Sequence, residues 1–372
     1  MRVAIDARKL YDYGIGTYVR NLLKALVRLD TDTEYVLLCR SADVPFVRAL
    51  GPRCTPLPVD AGNYSVQELV DIPRALGRAR PDLFHAPHYV VSPFVWHRYV
   101  VTIHDCIHLR FPEYLPNRLA PTYARVMMRQ AGRRAARVLT VSEASKQDIL
   151  HYLRLPAEKV EVIPNALDEG LAAAPPEAAL ARIRERYQLD APFILYAGNI
   201  KPHKNVDRLI EAYSILRRRG VTDVQLLIIG DNVSKAPELR RLVHRFQLHQ
   251  HVRFLGFVSD EMLAALYRLT RVFVFPSIYE GFGLPPLEAM AAGAPVITSN
   301  VSSLPEVVGD AAVLVDPFDA GAIADALARV LGDEALRADL IARGRARIQQ
   351  FSWHSAARHT HAAYEAALGA RP

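Results

Sequence analysis

Short apolar runs alternate with longer amphipathic stretches along almost the whole chain, and this alternation restricts the fold more than any other feature. In the first half the strand-like runs are Val3–Ile5, Tyr35–Leu38, Leu83–Phe84, Tyr99–Ile103, Val138–Val141 and Val160–Ile163. In the second half they are Phe193–Tyr196, Gln225–Ile229, Val252–Leu255, Val272–Phe275, Val296–Thr298 and Ala312–Val315. Strands that alternate with helices build parallel sheets with helices on both faces. A length of 372 residues predicts two domains of ordinary size, with Asp168-Glu-Gly-Leu-Ala-Ala-Ala-Pro-Pro176 as the linker. The expected class is α/β, two doubly wound domains facing one another across a cleft. Ligands of such sheets bind beyond the carboxyl ends of the strands. Gly14, Gly16, His104, the stretch Gly198 to Lys204, Gly230-Asp231 and Glu280 all fall at those ends.

Composition narrows the setting. At 51% apolar and 23% charged residues, the chain is globular and able to bury large cores. Three cysteines, Cys39, Cys54 and Cys106, form no C-x-x-C pair, which predicts a reducing compartment without a disulfide framework or zinc site. The start Met1-Arg-Val-Ala-Ile-Asp6 meets charge too early for a signal peptide, and no run approaches the ~20 apolar residues that span a bilayer. The expected location is cytoplasmic, at most peripheral on the inner face of the cell membrane.

The chemistry concentrates in Glu280-Gly-Phe-Gly-Leu-Pro-Pro-Leu-Glu288. A strand-like run, Val272 to Phe275, precedes it. A helix-like run, Leu287 to Ala292, follows, and proline suits a first helical turn because that turn needs no N–H. Glu280 is expected in the loop and Glu288 in the first turn of the helix. Free backbone N–H groups at a helix N-terminus suit an anion, and glycines let a ligand approach the backbone. Carboxylates beside such a site are good acceptors for ribose or sugar hydroxyls, so the local chemistry reads as nucleotide plus sugar.

Other motifs point the same way. Asp6 to Gly16 leaves a strand and opens a helix with Gly14 and Gly16, but Val19 stands where a dinucleotide fingerprint wants a third glycine. Val101-Thr-Ile-His104-Asp105 places a histidine able to bond a sugar hydroxyl, with Asp105 either orienting the ring or capping the next turn. Gly198-Asn199-Ile-Lys201-Pro-His203-Lys204 offers lysines suited to a diphosphate. Ser259 looks like a helix cap.

The run Pro276 to Ile297, together with these motifs, resembles the retaining glycosyltransferases of family 4 and their E-x7-E signature. The resemblance covers Asp6 to Tyr364. It implies the GT-B architecture of two Rossmann-like domains: an acceptor-binding domain over 1–170, a nucleotide-sugar-binding domain over 171–352, and a last helix, 353–372, packing back on the first. It implies catalytic roles for His104, Lys204 and Glu280. Donor contacts are implied at Gly14, Gly16, Asn199, Lys201, Lys204, Val258, Glu280, Gly281, Phe282, Gly283, Leu284 and Glu288. Lys204 matches the family's phosphate-binding lysine, whereas Asn199 stands where the family often has arginine. Val141-Ser-Glu143-Ala-Ser145 and Ile163-Pro-Asn165 resemble family landmarks, with Ala166 in place of the usual glycine. Neither an Asp-x-Asp run nor a histidine–carboxylate ligand cluster is read from the sequence, so no metal and no other cofactor is expected. The sub-pattern Gly-Asn-Ile-Lys-Pro-His-Lys-Asn with Thr-Ile-His-Asp is similar to bacterial enzymes of surface-polysaccharide assembly. It favours mannosyl transfer from GDP-mannose to a saccharide or lipid-linked acceptor, with UDP-sugars second. A sugar phosphorylase or epimerase on the same fold, and a non-catalytic nucleotide-sugar sensor, are the competing readings.

The net charge of +7 is uneven. Between Glu113 and Glu143 no acid occurs, yet Arg118, Arg125, Arg129, Arg133, Arg134 and Arg137 do. Arg125, Arg129 and Arg133 recur every four residues and so share a helix face. Anionic lipid or a lipid-diphosphate acceptor would answer them, as would acids from elsewhere in the fold; the plain alternative is a solvated face. Nucleic acid is not an expected partner, because no aromatic residues interleave with the arginines.

Overall fold

The computed structural model describes residues 1–29, 31–62, 65–115, 117, 119–168, 176–230 and 236–369. The chain forms two compact units, Met1–Ala166 with Ser352–Pro372, and Leu167–Phe351. Most of the predicted linker, 169–175, lies outside the described residues, as do Arg118 and Asp231.

The first unit carries strands β1 (Arg2–Asp6), β2 (Glu34–Cys39), β3 (Cys54–Pro58), β4 (Leu83–Ala86), β5 (Tyr99–Thr102), β6 (Arg137–Thr140) and β7 (Val160–Val162). All pair in parallel, in the order β3-β2-β1-β4-β5-β6-β7. Its helices are α1 (Tyr13–Leu29), α2 (Val44–Ala49), α3 (Val66–Ala79), α4 (Ile107–Arg110), α5 (Ala120–Arg134) and α6 (Glu143–Leu153). On α1 the apolar face Tyr18, Val19, Leu22, Leu23 and Leu26 is buried, the stripe that holds an amphipathic helix against a sheet. Strand β3 is absent from the sequence expectation. Its text, Cys-Thr-Pro-Leu-Pro, carries two prolines that cannot donate to a ladder, and it is tolerated because β3 is an edge strand that pairs with β2 alone.

The second unit repeats the plan. Its strands are β8 (Phe193–Ala197), β9 (Gln225–Ile229), β10 (Val252–Gly256), β11 (Val272–Phe275), β12 (Val296–Ser299) and β13 (Val313–Val315), parallel and ordered β10-β9-β8-β11-β12-β13. Its helices are α7 (Glu177–Tyr187), α8 (Val206–Arg218), α9 (Pro237–Arg245), α10 (Asp260–Leu269), α11 (Leu284–Ala291), α12 (Leu304–Val308), α13 (Ala320–Gly332) and α14 (Glu334–Ile348). Strands β8 and β11 are buried at every residue, as a parallel strand covered on both faces requires.

Each sheet reverses its order once, between β1 and β4 and between β8 and β11. At such switch points the loops that follow the two strands diverge and leave a crevice.

The last helix, α15 (Trp353–Gly369), belongs to the first unit and packs on α1. A buried polar chain pins it there. Tyr18 Oη lies 3.1 Å from Thr102 Oγ1, Thr102 Oγ1 2.8 Å from His85 Nε2, and His85 Nδ1 2.7 Å from Tyr364 Oη. Burial pushes the His85 pKa down to about 3, so the ring stays neutral and serves one neighbour as donor and the other as acceptor. Tyr364→Phe leaves a ring nitrogen buried without a partner. The expected loss of stability is about 1–3 kcal/mol by chemical denaturation, and an unchanged midpoint would show that the chain does not hold α15.

Candidate active site

In the second unit the turn after β8 and the loop after β11 meet at the switch point. Lys204 ends the first turn and Glu280 lies in the second, 76 positions apart in sequence. Lys204 Nζ donates to Glu280 Oε1 at 2.6 Å, with both side chains largely buried, and sits 5.2 Å above the Phe275 ring centre. Ser277 Oγ lies 2.6 Å from the same carboxylate oxygen and donates to it. The backbone of Glu280 is clamped by Ser302, whose hydroxyl accepts from Glu280 N at 3.1 Å and donates to Glu280 O at 2.8 Å. Asn205, left-handed at φ 60°, donates its amide to Pro276 O and Pro317 O, and asparagine tolerates that conformation better than most residues. His203 O accepts from Ile278 N. The ammonium and the carboxylate are therefore held on two stitched loops. The second oxygen of Glu280 has no partner among the described residues.

Helix α11 begins at Leu284, three residues before the expected start, because both prolines fit inside its first turn. Glu288 accordingly opens the second turn rather than sitting in the first, a correction to the sequence reading. No side chain caps α11: Gly283 holds the N-cap at φ 106°, and a Cβ there would lie 2.7 Å from Leu304 Cδ2. Pro285 and Pro286 carry no N–H, so Leu284 alone offers a first-turn N–H, and it is left to a ligand or water. Glu288 receives a hydrogen bond from Tyr267 Oη at 3.1 Å on Oε2, and its Oε1 has no partner among the described residues. Burial pushes the Glu288 carboxyl up to about 7, with Asp260 and Asp168 adding to the rise and the Tyr267 hydroxyl opposing it.

The remaining donor-loop residues are placed as follows. Phe282 is buried with its ring edge-on to Phe351 at 5.6 Å. Lys201 is exposed. Asn199, where an arginine is usual, has its side-chain oxygen buried without a partner among the described residues. Val258 is buried beside Phe257, which is 80% exposed, while Ser259 caps α10 through Met262 N at 3.4 Å.

In the first unit, His104 follows β5. Its Nε2 lies 3.0 Å from Pro87 O and its ring meets Tyr18 edge-on at 4.8 Å. Burial lowers its pKa, so the ring is neutral, Nε2 donates to the carbonyl, and Nδ1 is left as an acceptor. Asp105 caps the next turn, accepting from Ile107 N at 3.0 Å. The two glycines separate in role. Gly14 is exposed in the first turn of α1 with open space around it, whereas Gly16 is buried and a Cβ would lie 2.5 Å from Leu10 O. Gly16 is therefore also demanded by the chain's own backbone. Ser142 and Ser145 form a cap and a brace: Ser142 Oγ caps α6, and Ser145 Oγ donates to His104 O at 2.9 Å. On α5, Arg125 and Arg133 are exposed and Arg129 half-buried, and no carboxylate pairs with any of the three among the described residues.

The profile of the family described as Glycosyl transferases group 1 matches residues 181–347, and that of Glycosyltransferase Family 4 matches 13–171. O-antigen chain mannosyltransferase B of Escherichia coli is 36% identical over 284 residues, 76% of this chain and 74% of that protein. The chain belongs to glycosyltransferase family 4. The serotype-specific mannosyltransferase WbdA of Escherichia coli is 33% identical over 76% of this glycosyltransferase, which spans only 36% of that protein. Among solved structures, Anabaena HepE in complex with UDP-glucose superposes with a TM-score of 0.79 at 19% identity, covering 98% of this chain and 99% of that one. The glycosyltransferase has the GT-B fold.

Sequence reasoning named the charged partners of this glycosyltransferase but missed Ser277, Tyr267, Asn205 and Ser302, which hold them. Only Ser277, three residues before Glu280, carried a local signal. An Asp-x-Asp does occur in the sequence, Asp30-Thr31-Asp32, a correction to the sequence reading; Asp30 lies outside the described residues. Among the described residues no group of three His, Cys, Asp or Glu is placed to hold a metal, and no helix is long and apolar enough to cross a membrane.

Proposed function

We propose that this enzyme transfers mannose, with retention of anomeric configuration, from GDP-mannose to a saccharide or lipid-linked acceptor during surface-glycan assembly. The observation that carries the reading is the Lys204–Glu280 pair at the β8/β11 switch point, beside the uncapped start of α11 and Glu288. Lys204 and the Leu284 N–H at the start of α11 meet the diphosphate, and they gain most as negative charge develops on the leaving group. Glu280 accepts from donor-sugar hydroxyls, flanked by the Phe282–Leu284 amides. Glu288 accepts from the ribose through its free oxygen, and the backbone near Val258 meets the base. His104 offers Nδ1 to a sugar hydroxyl of the substrate. The acceptor hydroxyl attacks the anomeric carbon from the face the phosphate leaves, and its proton passes to the departing phosphate oxygen. With that positive charge supplied by the protein, the reaction needs no metal.

The mannosyltransferases among the relatives favour the sugar, and the UDP-glucose held by the Anabaena neighbour keeps UDP-sugars as the second reading. Thermal-shift titration with GDP, UDP and ADP separates them, since a ligand at 100 times its Kd adds about 2.7 kcal/mol. GDP is expected to give the largest rise, and a rise with UDP alone would overturn the mannosyl reading. EDTA is expected to leave transfer unchanged. Loss restored by magnesium or manganese would sink the metal-free mechanism.

A further inference from the structure

Helix α5 buries Ala124, Met127, Met128 and Ala131 and turns two parallel stripes outward. One is cationic: Arg125, Arg129 and Arg133, spaced i, i+4, i+8. The other is apolar: Leu119, just before the helix, Tyr123 and Val126, spaced i, i+4, i+7, with exposures of 79%, 44% and 58%. An exposed helix face of this kind is uncommon on a protein meant to meet only water.

The patch continues past the helix. Arg134 donates to Pro93 O at 2.6 Å and Val95 O at 2.7 Å, and its guanidinium lies 5.6 Å from the Trp96 ring centre. These contacts fix the Phe94–Trp96 turn to the end of α5 with its aromatics facing out, Phe94 at 56% and Trp96 at 85% exposure. Among the described residues the three cations have no carboxylate partner, and Arg129 Nε is buried with no hydrogen-bond partner. Like charges in a row repel mildly, and an anionic complement relieves that repulsion. The complement must also accept aliphatic and indole groups, which a nucleic acid backbone does not reward.

We propose that α5 and the Phe94–Trp96 turn form an interfacial docking surface for an anionic lipid bilayer. Trp96, Phe94, Leu119 and Val126 enter the headgroup boundary, where indole rings are at home. The arginines bond lipid phosphates, their stems lying along the apolar stripe. The inference suits a lipid-linked acceptor but does not rest on the sugar or the donor, because vesicle binding requires neither.

The chain has two tryptophans, Trp96 and the buried Trp353, so quenching by brominated acyl chains reports Trp96. Flotation with brominated phosphatidylglycerol vesicles at low salt is expected to carry the protein and quench its fluorescence, and phosphatidylcholine vesicles are expected to do neither. Arg125→Gln, Arg129→Gln and Arg133→Gln together should weaken vesicle affinity on the order of a hundredfold, at about fivefold per charge, and high salt should act likewise. Nucleotide binding by the second unit serves as the control for folding. Should that triple variant misfold, Phe94→Ser with Trp96→Ser, both at exposed positions, should still cut flotation. Failure of the wild-type protein to float on phosphatidylglycerol at low salt overturns the proposal. So does flotation without quenching, or binding to duplex DNA with none to vesicles.

Discussion

Lys204→Ala is expected to lower turnover by about two to three orders of magnitude, the cost of removing one preorganised group aimed at developing charge. The Michaelis constant should move far less. The ammonium is already committed to Glu280 before substrate arrives, so its attraction for a ground-state diphosphate is partly spent on the carboxylate. As the leaving group gains charge, that balance shifts toward the phosphate, and the stabilisation appears mainly in the transition state. Lys204→Arg should recover only part of the loss, since a planar fork does not replace a point charge seated over the Phe275 ring. Steady-state kinetics with the donor found by nucleotide screening decide the matter. Turnover left intact with only a raised Michaelis constant would assign Lys204 to uniform binding instead.

Glu288→Gln should have effects of opposite sign on stability and on binding. The Glu288 carboxyl sits at about 7 in the fold against an ordinary value of 4.5. A raised carboxyl contributes its full stability only below the unfolded value, and that contribution is lost as pH rises from about 4.5 through about 7. At pH 8 the ionised group costs the ligand-free protein about 3 kcal/mol. The glutamine variant is therefore expected to melt several degrees higher than the wild type at pH 8 and alike at pH 4.5. Affinity should go the other way. Ribose hydroxyls donate to the ionised carboxylate, so the variant should bind nucleoside diphosphate more weakly by about 1.5–3 kcal/mol at pH 8. Wild-type affinity should decline toward that of the variant as pH falls below 7. Calorimetric titration at pH 6 and 8 gives both numbers. Equal affinity of the two proteins at pH 8 would remove Glu288 from the site, and equal melting there would show that its charge is not held at a cost.

The sequence by itself determined the class of fold. Twelve apolar runs alternating with helical stretches leave little besides parallel sheets, and the structure contains all twelve. The one strand they omit, β3, escaped because its two prolines argue against a strand, and only its place at the sheet edge makes them harmless. The sequence also delivered the chemical vocabulary of the site. Glycine, lysine and glutamate types at fixed spacing reflect backbone and charge requirements that act within a few residues. The C-terminal helix was legible from its own text, but the His85–Tyr364 contact that seats it joins residues 279 positions apart. Tertiary structure alone decided which charges meet. Nothing local to Lys204 announces Glu280, and nothing near Glu288 announces Tyr267. Those pairs exist because the β8/β11 reversal brings two distant loops to one edge, and because α10 and α11 pack side by side. The structural need for Gly16 was hidden for the same reason: it comes from a carbonyl, Leu10 O, whose approach is set by how the chain enters α1. Local spacing fixes what a residue is able to do, while burial and long-range partners fix its charge state and its company, and these are properties of packing rather than of order along the chain.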